Sequence, residues 1–128
     1  MDKKYLIDTN VVIYYSKGLI PPLQLPQISN IFQQSFQIST ISQIEVLGWH
    51  KISVTERERL QVFLSKASIF YIDENIEQVA IRLKQKQKME TPDAIIAATC
   101  LIHSFTLVTR NGRDFWNIKD LKILNPFI

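Results

Sequence analysis

The chain has 128 residues, with 15 Lys and Arg against 12 Asp and Glu, a formal charge of +3 and 46% hydrophobic residues. That length and apolar share suit a single domain over 1–128 and exclude a disordered chain. The lone cysteine, Cys100, excludes an internal disulfide framework, and no Cys/His array for structural zinc is present. No apolar run is long enough to span a bilayer, and the start, MDKKYLIDTN, lacks the apolar stretch of a signal peptide. The expectation is a cytoplasmic protein without a membrane partner. The small positive balance permits a nucleic-acid partner without requiring one.

Taken in order, the elements alternate. Tyr5-Leu6-Ile7 is a short apolar run and reads as a strand. Asn10 is placed to cap a helix over Val11 to Lys17, which Gly18 stops. Pro21-Pro22 and Pro26 form a turn leading into a second helix, Pro26 to Gln34. Phe36 to Ser39 is the next strand. Thr40-Ile41-Ser42-Gln43 has capping-box spacing and opens a helix to about Trp49. Thr55-Glu56-Arg57-Glu58 repeats that signature before the apolar stripe Leu60, Phe63 and Leu64. Ser68 to Ile72 reads as a strand, and Ile76, Val79, Ala80 and Leu83 have helical spacing. Thr91-Pro92-Asp93 supplies a cap, a proline at the first helical position and an acid in the first turn of a helix to about His103. Phe105 to Thr109 and Leu121 to Leu124 are the last strands. The alternation predicts an α/β fold, a three-layer α/β/α sandwich around a central parallel sheet, whose sites form at the C-terminal ends of the strands.

The acids divide by neighbourhood. Asp2, Glu56, Glu58, Asp73, Glu74, Glu77, Glu90 and Asp120 sit in polar or turn-like stretches and read as surface charges or helix starts. Asp8 directly follows the apolar strand Tyr5-Leu6-Ile7, at the edge where sites form. Glu45 lies about a turn inside a mostly apolar helix, where an unpaired carboxylate must find solvent, a cation or a metal. Asp93 opens the nearly all-apolar Ala94-Ile95-Ile96-Ala97-Ala98, and Asp114 follows the strand ending at Thr109. Each has a plain alternative: a helix cap, an exposed position, a helix-dipole acid and a turn residue, respectively. Jointly they place acids from separate segments at one edge of one sheet. Such a cluster needs cations, or some of its members must be protonated. Hard divalent ions with oxygen ligands meet that need, and a pair of them can activate a water for phosphodiester cleavage.

Ordered blocks around these acids carry a resemblance. They are Leu6-Ile7-Asp8-Thr9-Asn10, Ser39-Thr40-Ile41-Ser42-Gln43-Ile44-Glu45, Pro92-Asp93-Ala94-Ile95-Ile96-Ala97-Ala98 and Thr109-Arg110-Asn111-Gly112-Arg113-Asp114-Phe115. Together they span residues 6 to 115, and the chain resembles the PIN-domain ribonucleases, most closely the VapC-like toxins of toxin–antitoxin pairs. The resemblance implies an acidic pocket of Asp8, Glu45, Asp93 and Asp114 holding one or two Mg²⁺ or Mn²⁺ ions. It implies supporting roles for Thr9, Asn10, Thr109 and Asn111, with either Asn111 or Asp114 as the direct ligand. It also implies endonucleolytic cleavage of structured RNA such as transfer or ribosomal RNA, homodimerisation and silencing by an antitoxin that blocks the pocket. On this reading Asp8 and Asp93 hold a metal, with Asp8 as the shared ligand, and Glu45 either ligates or positions the nucleophilic water. Asp114 completes a second metal position.

Basic residues flank these blocks. Arg82, Lys84, Lys86 and Lys88 precede Thr91-Pro92-Asp93, and Arg110 and Arg113 lie within the last block, so they are candidates for RNA phosphates or for an ordinary solvated face. His50 and His103 end helices and offer poor support for a metal-free mechanism, while Cys100 reads as a small core residue. Trp49, Phe63, Tyr14, Tyr15 and Trp116 suit either core or dimer surface. The rival readings are a receiver-type phosphate-accepting domain, which would want adjacent acids after the first strand and a lysine where Arg110 stands, an aspartyl-phosphate phosphatase, whose Asp-x-Asp run Asp8-Thr9-Asn10 does not supply, and a PIN-like scaffold that binds without cleaving.

Overall fold

The computed structural model describes residues 4–128, so Asp2 lies outside the described residues. Short parallel strands form the sheet: β1 (Tyr5–Ile7), β2 (Gln37–Ser39), β3 (Ser68–Phe70), β4 (Thr106–Val108) and β5 (Lys122–Leu124), in the spatial order β3-β2-β1-β4-β5. The helices are α1 (Thr9–Ser16), α2 (Leu25–Gln33), α3 (Thr40–Leu47), α4 (Val54–Leu64), α5 (Glu74–Lys86) and α6 (Thr91–His103), with a 3₁₀ turn at Gly112–Phe115. The predicted α/β/α layering is therefore present. Among the described residues no helix is long and apolar enough to cross a membrane.

Strand alternation sorts the core onto the two faces. Ile7, Ile38 and Val108 pack with Val11, Val12, Ile28 and Phe36, the side covered by α1, α2 and α4. Leu6 and Leu107 point the other way, onto Ile96, Ala97 and Cys100 of α6 and onto Phe115. All these strand residues are fully buried, as parallel strands covered on both faces require. Cys100 is a core residue, and burial pushes its thiol well above the ordinary range. The small residues of α6 (Ala94, Ala97 and Ala98, each fully buried) let that helix lie close against its neighbours.

Several expected boundaries move, at α1 and α3 because a strand leads straight into the helix. The cap of α1 is Asp8 rather than Asn10, that of α3 is Ser39 rather than Thr40, that of α4 is Ser53 rather than Thr55, and α6 is capped by Glu90 with Thr91 already helical. A capping residue has extended backbone dihedrals, so the last residue of a strand, or the one after it, can serve without an intervening loop. Ser39 does both, at φ −74° and ψ 147°. At the other end α3 stops at Leu47 because Gly48 caps it, short of Trp49. The strand after α4 stops at Phe70, leaving Tyr71 69% exposed.

Candidate active site

The sheet order reverses beside β1: the chain moves outward through β2 and β3, then returns to add β4 and β5 on the other side. Open parallel sheets form their crevice at such a point, beyond the C-terminal ends of the strands that flank it. Asp8 follows β1 there and Thr109 follows β4. Asp8 is 7% exposed, and its two oxygens have separate partners. Oδ1 accepts the backbone N–H of Thr9 at 2.8 Å, which caps α1, and Oδ2 accepts the Thr109 hydroxyl at 2.8 Å. Asp8 is thus a helix cap and a candidate site residue together. Thr109 Oγ1 also accepts the Asn111 N–H at 3.0 Å, which shapes the loop after β4.

The helix α3 reaches the same place. Ser42 and Glu45 share a helix face, three residues apart. Thr9 donates its hydroxyl to Glu45 Oε1 at 2.7 Å, and the buried Ser42 Oγ lies 3.0 Å from Thr9 Oγ1. Glu45 is exposed apart from this anchor. It lines a cavity of about 320 Å³ with Thr9, Asn10, Trp49, Glu56 and Arg59. Asp93 and Asp114 line a second cavity, about 370 Å³, with Lys88, Glu90, Arg113 and Trp116. Asp114 is carried by the 3₁₀ turn, which Phe115, 1% exposed, pins into the core. Burial of a phenylalanine is worth about 1.5–3 kcal/mol, enough to hold a short turn in place.

The carboxylates feel one another. The pKa of Asp8 is raised chiefly by burial. The bonds from Thr109 and Thr9 oppose that rise, and the charges of Glu45 and Asp114 add to it. Asp93 is pushed up to about 6, first by burial and then by Asp8, Asp114, Glu45 and Glu90. So Asp8, Glu45, Asp93 and Asp114 act on one another electrostatically, with Glu45 lining one cavity and Asp93 and Asp114 the other. Among the described residues, no trio of His, Cys, Asp or Glu side chains is drawn together tightly enough to form a ready metal cage. The donor set nonetheless fits a hard divalent cation: it is all oxygen, rich in negative charge, and already strained by mutual repulsion.

Sequence neighbourhood missed two residues here. Glu90 looks like a surface acid, yet it stands at the N-cap position of α6, without a side-chain capping bond, and adds the smallest of the contributions to the rise at Asp93. Ser42 carries no charge to draw attention, and only its spacing from Glu45 signals it. The predicted basic group separates. Lys88 and Arg113 line the Asp93 cavity, Arg82 and Lys86 line a neighbouring one, and Lys84 donates to Thr91 Oγ1 at 2.6 Å. Arg110 lies over the rings of Phe127 and Tyr14, 4.4 and 5.3 Å from their centroids. His103 stacks on Phe105 at the far end of α6, ten residues and about 15 Å of helix from Asp93. Tyr15 and Phe63 pack into an aromatic group with Phe32, and Tyr14 packs edge-on to Phe127, whereas Trp49 and Trp116 are 49% and 73% exposed.

A family model described as PIN domain matches residues 5–121. Ribonuclease VapC1 of Methanocaldococcus jannaschii is 29% identical over 125 residues, covering 93% of this chain and 84% of its own. A toxin–antitoxin complex from Klebsiella pneumoniae contains a chain that matches at TM-score 0.79 and 30% identity, over 97% of this chain and 98% of that one. VapBC2 from Rickettsia felis, solved bound to a promoter DNA fragment, matches at TM-score 0.76 and 23% identity, over 94% of this chain and 97% of that one, a likeness of fold.

Proposed function

The chain belongs to the PIN-domain family, and from that premise we propose that it is a divalent-metal-dependent endoribonuclease and the toxin of a toxin–antitoxin pair. The observation that carries the chemistry is the centre at the sheet's reversal point, where Asp8 and Asp93 have raised pKa values because burial and neighbouring carboxylates oppose their charge. The toxin reading is supported by the likeness to the Klebsiella pneumoniae toxin–antitoxin complex. A receiver-type or phosphatase reading has no support from either.

Asp8, Asp93 and Asp114 would hold Mg²⁺ or Mn²⁺, with Asp8 shared between positions if two ions bind. A bound ion supplies Lewis acidity, which lowers the pKa of a water and offsets phosphate charge. The rest is the work of the chain. Thr9 holds the Glu45 carboxylate by a 2.7 Å bond, so that the free oxygen can orient the attacking water and accept its proton. Thr109 fixes the rotamer of Asp8 and, through the Asn111 N–H, the path of the loop toward Asp114. Asp114 is the preferred ligand over Asn111, because it lines the same cavity as Asp93 and Asn111 does not. Asn10, lining the Glu45 cavity, is available to the substrate. The products are a 5′-phosphate and a 3′-hydroxyl. The substrate is structured RNA of the transfer or ribosomal kind, the active form is a cytoplasmic homodimer, and an antitoxin segment blocks the pocket.

The purified chain should cleave RNA with Mg²⁺ or Mn²⁺ and lose all cleavage in EDTA. Asp93→Asn and Asp8→Asn, which keep shape and remove charge, should each reduce the rate at least about 100-fold. Retention of full activity by either variant defeats the assignment. RNA bound but uncut by the wild type in both metals supports the non-cleaving scaffold instead.

A further inference from the structure

Two cavities adjoin at the C-terminal end of α5. The one that holds Asp93 and Asp114 is also lined by Lys88, Arg113 and Trp116. The other is lined by Arg82, Lys86, Lys119 and Asp120, and neither Asp93 nor Asp114 reaches it. Gln87 and Asn117 line both, so the cavities adjoin across these residues and lie in a row, a surface track that starts at Asp93 and Asp114. Along it, outside the catalytic acids, the cations outnumber Glu90 and Asp120.

Trp116 stands in this track. The residue is 73% exposed, which excludes a core role, yet its backbone is held. Phe115 before it is 1% exposed, Gln87 Nε2 donates to the Trp116 carbonyl at 3.4 Å, and Asn117 after it turns the chain with φ of +67°. A large aromatic surface is therefore presented to solvent on a fixed base, between cationic side chains and beside carboxylates suited to phosphodiester chemistry. Exposed aromatic rings interleaved with Lys and Arg are what single-stranded nucleic acid uses: bases stack, phosphates pair, and neither contact demands a sequence. A duplex hides its base faces and cannot use the ring in this way.

We propose that a single-stranded stretch of RNA runs from the acidic centre along this track, with a base stacked on Trp116 and phosphates met by Lys88 and Arg113, then by Arg82, Lys86 and Lys119. The inference rests on the ribonuclease reading and specifies the substrate's path and its unpaired character there. Lys84 lies outside the path, engaged with Thr91. The segment before Thr91 is thus divided by function, which its run of like charges does not reveal.

The test uses the full chain and a short fluorescein-labelled single-stranded RNA of mixed sequence. Binding is read by anisotropy in EDTA and cleavage by KM in Mn²⁺. Trp116→Ala should weaken binding and raise KM about 5- to 150-fold, with Trp116→Phe restoring most of the loss. Lys86→Glu and Lys119→Glu should each weaken binding and reduce the slope of log Kd against log salt by about one. Lys84→Glu should leave that slope nearer the wild-type value. Affinity for a duplex of the same sequence should not respond to Trp116→Ala. Unchanged melting temperature in the Trp116 variants confirms that folding is intact. If the wild type cleaves the RNA and Trp116→Ala matches it in Kd and KM, the track is wrong and the ribonuclease reading stands. If the wild type neither binds nor cleaves RNA, both fall. If Trp116→Ala converts dimers to monomers in sedimentation without changing Kd, the ring belongs to a protein interface and the proposal is overturned.

Discussion

Asp93 keeps its proton up to about pH 6, because burial and then Asp8, Asp114, Glu45 and Glu90 oppose its ionisation. A carboxyl whose folded pKa exceeds its unfolded value of 3.8 stabilises the fold fully below that value. The contribution is lost as pH rises through about 6. Asparagine mimics the protonated acid without titrating. In metal-free buffer, Asp93→Asn should therefore be close to wild type in stability near pH 4 and more stable above pH 6. The gain should be about 1–2 kcal/mol, discounted because the group is partly exposed. Chemical denaturation across that range checks it, and a gain independent of pH contradicts it. The same residue was visible in the sequence as an acid opening an apolar helix. Ser42 was barely so: its spacing from Glu45 is the one local signal, and the 3.0 Å approach to Thr9 across 33 residues shows its use.

The elements themselves were legible in type and order, because period-two and helical spacing both come from the burial of one face. Their first residues were less so. Thr55 with Glu58 and Ser53 with Glu56 both satisfy the capping-box spacing, and sequence cannot choose between registers two residues apart. In the structure Ser53 Oγ accepts the Glu56 N–H at 3.0 Å, and Thr55 is already helical and exposed. Ser53→Ala should cost about 1 kcal/mol, while Thr55→Ala should stay within about 0.5 kcal/mol of wild type. Thermal unfolding of the two variants distinguishes them, and a larger loss at Thr55 would move the cap. The shift matters most at α1. Moving the cap from Asn10 to Asp8 makes one carboxylate both end the strand and start the helix. That ties its side chain to the site and fixes both of its oxygens.

At the scale of the whole molecule, the site is assembled from segments that are distant in the chain: Asp8 after β1, Glu45 on α3, Asp93 on α6 and Asp114 on the turn after β4. If these carboxylates hold the proposed divalent cation, it would bind only the folded form and would stabilise it. At a hundred times its dissociation constant the gain is about 2.7 kcal/mol. Mn²⁺ or Mg²⁺ should raise the melting temperature at pH 7.5 and do so much less at pH 5, where Asp93 keeps its proton and competes with the ion. Calorimetry with and without metal at both pH values tests this independently of catalysis. Equal shifts at the two pH values would remove Asp93 from the ligand set.

The blocks around Asp8, Glu45, Asp93 and Asp114 are local strings. Alternating apolar runs and acids in apolar company determine the fold class and nominate these residues without reference to distance. What lies between the strings is not local. The reversal of strand order beside β1 gathers the acids, and two cationic cavities adjoin across Gln87 and Asn117. The 73% exposure of Trp116 separates a presented ring from the buried Phe115 next to it. The near-even balance of 15 bases and 12 acids says nothing of this. A net charge is a sum over the chain, whereas binding and metal chemistry depend on which charges the tertiary fold sets side by side.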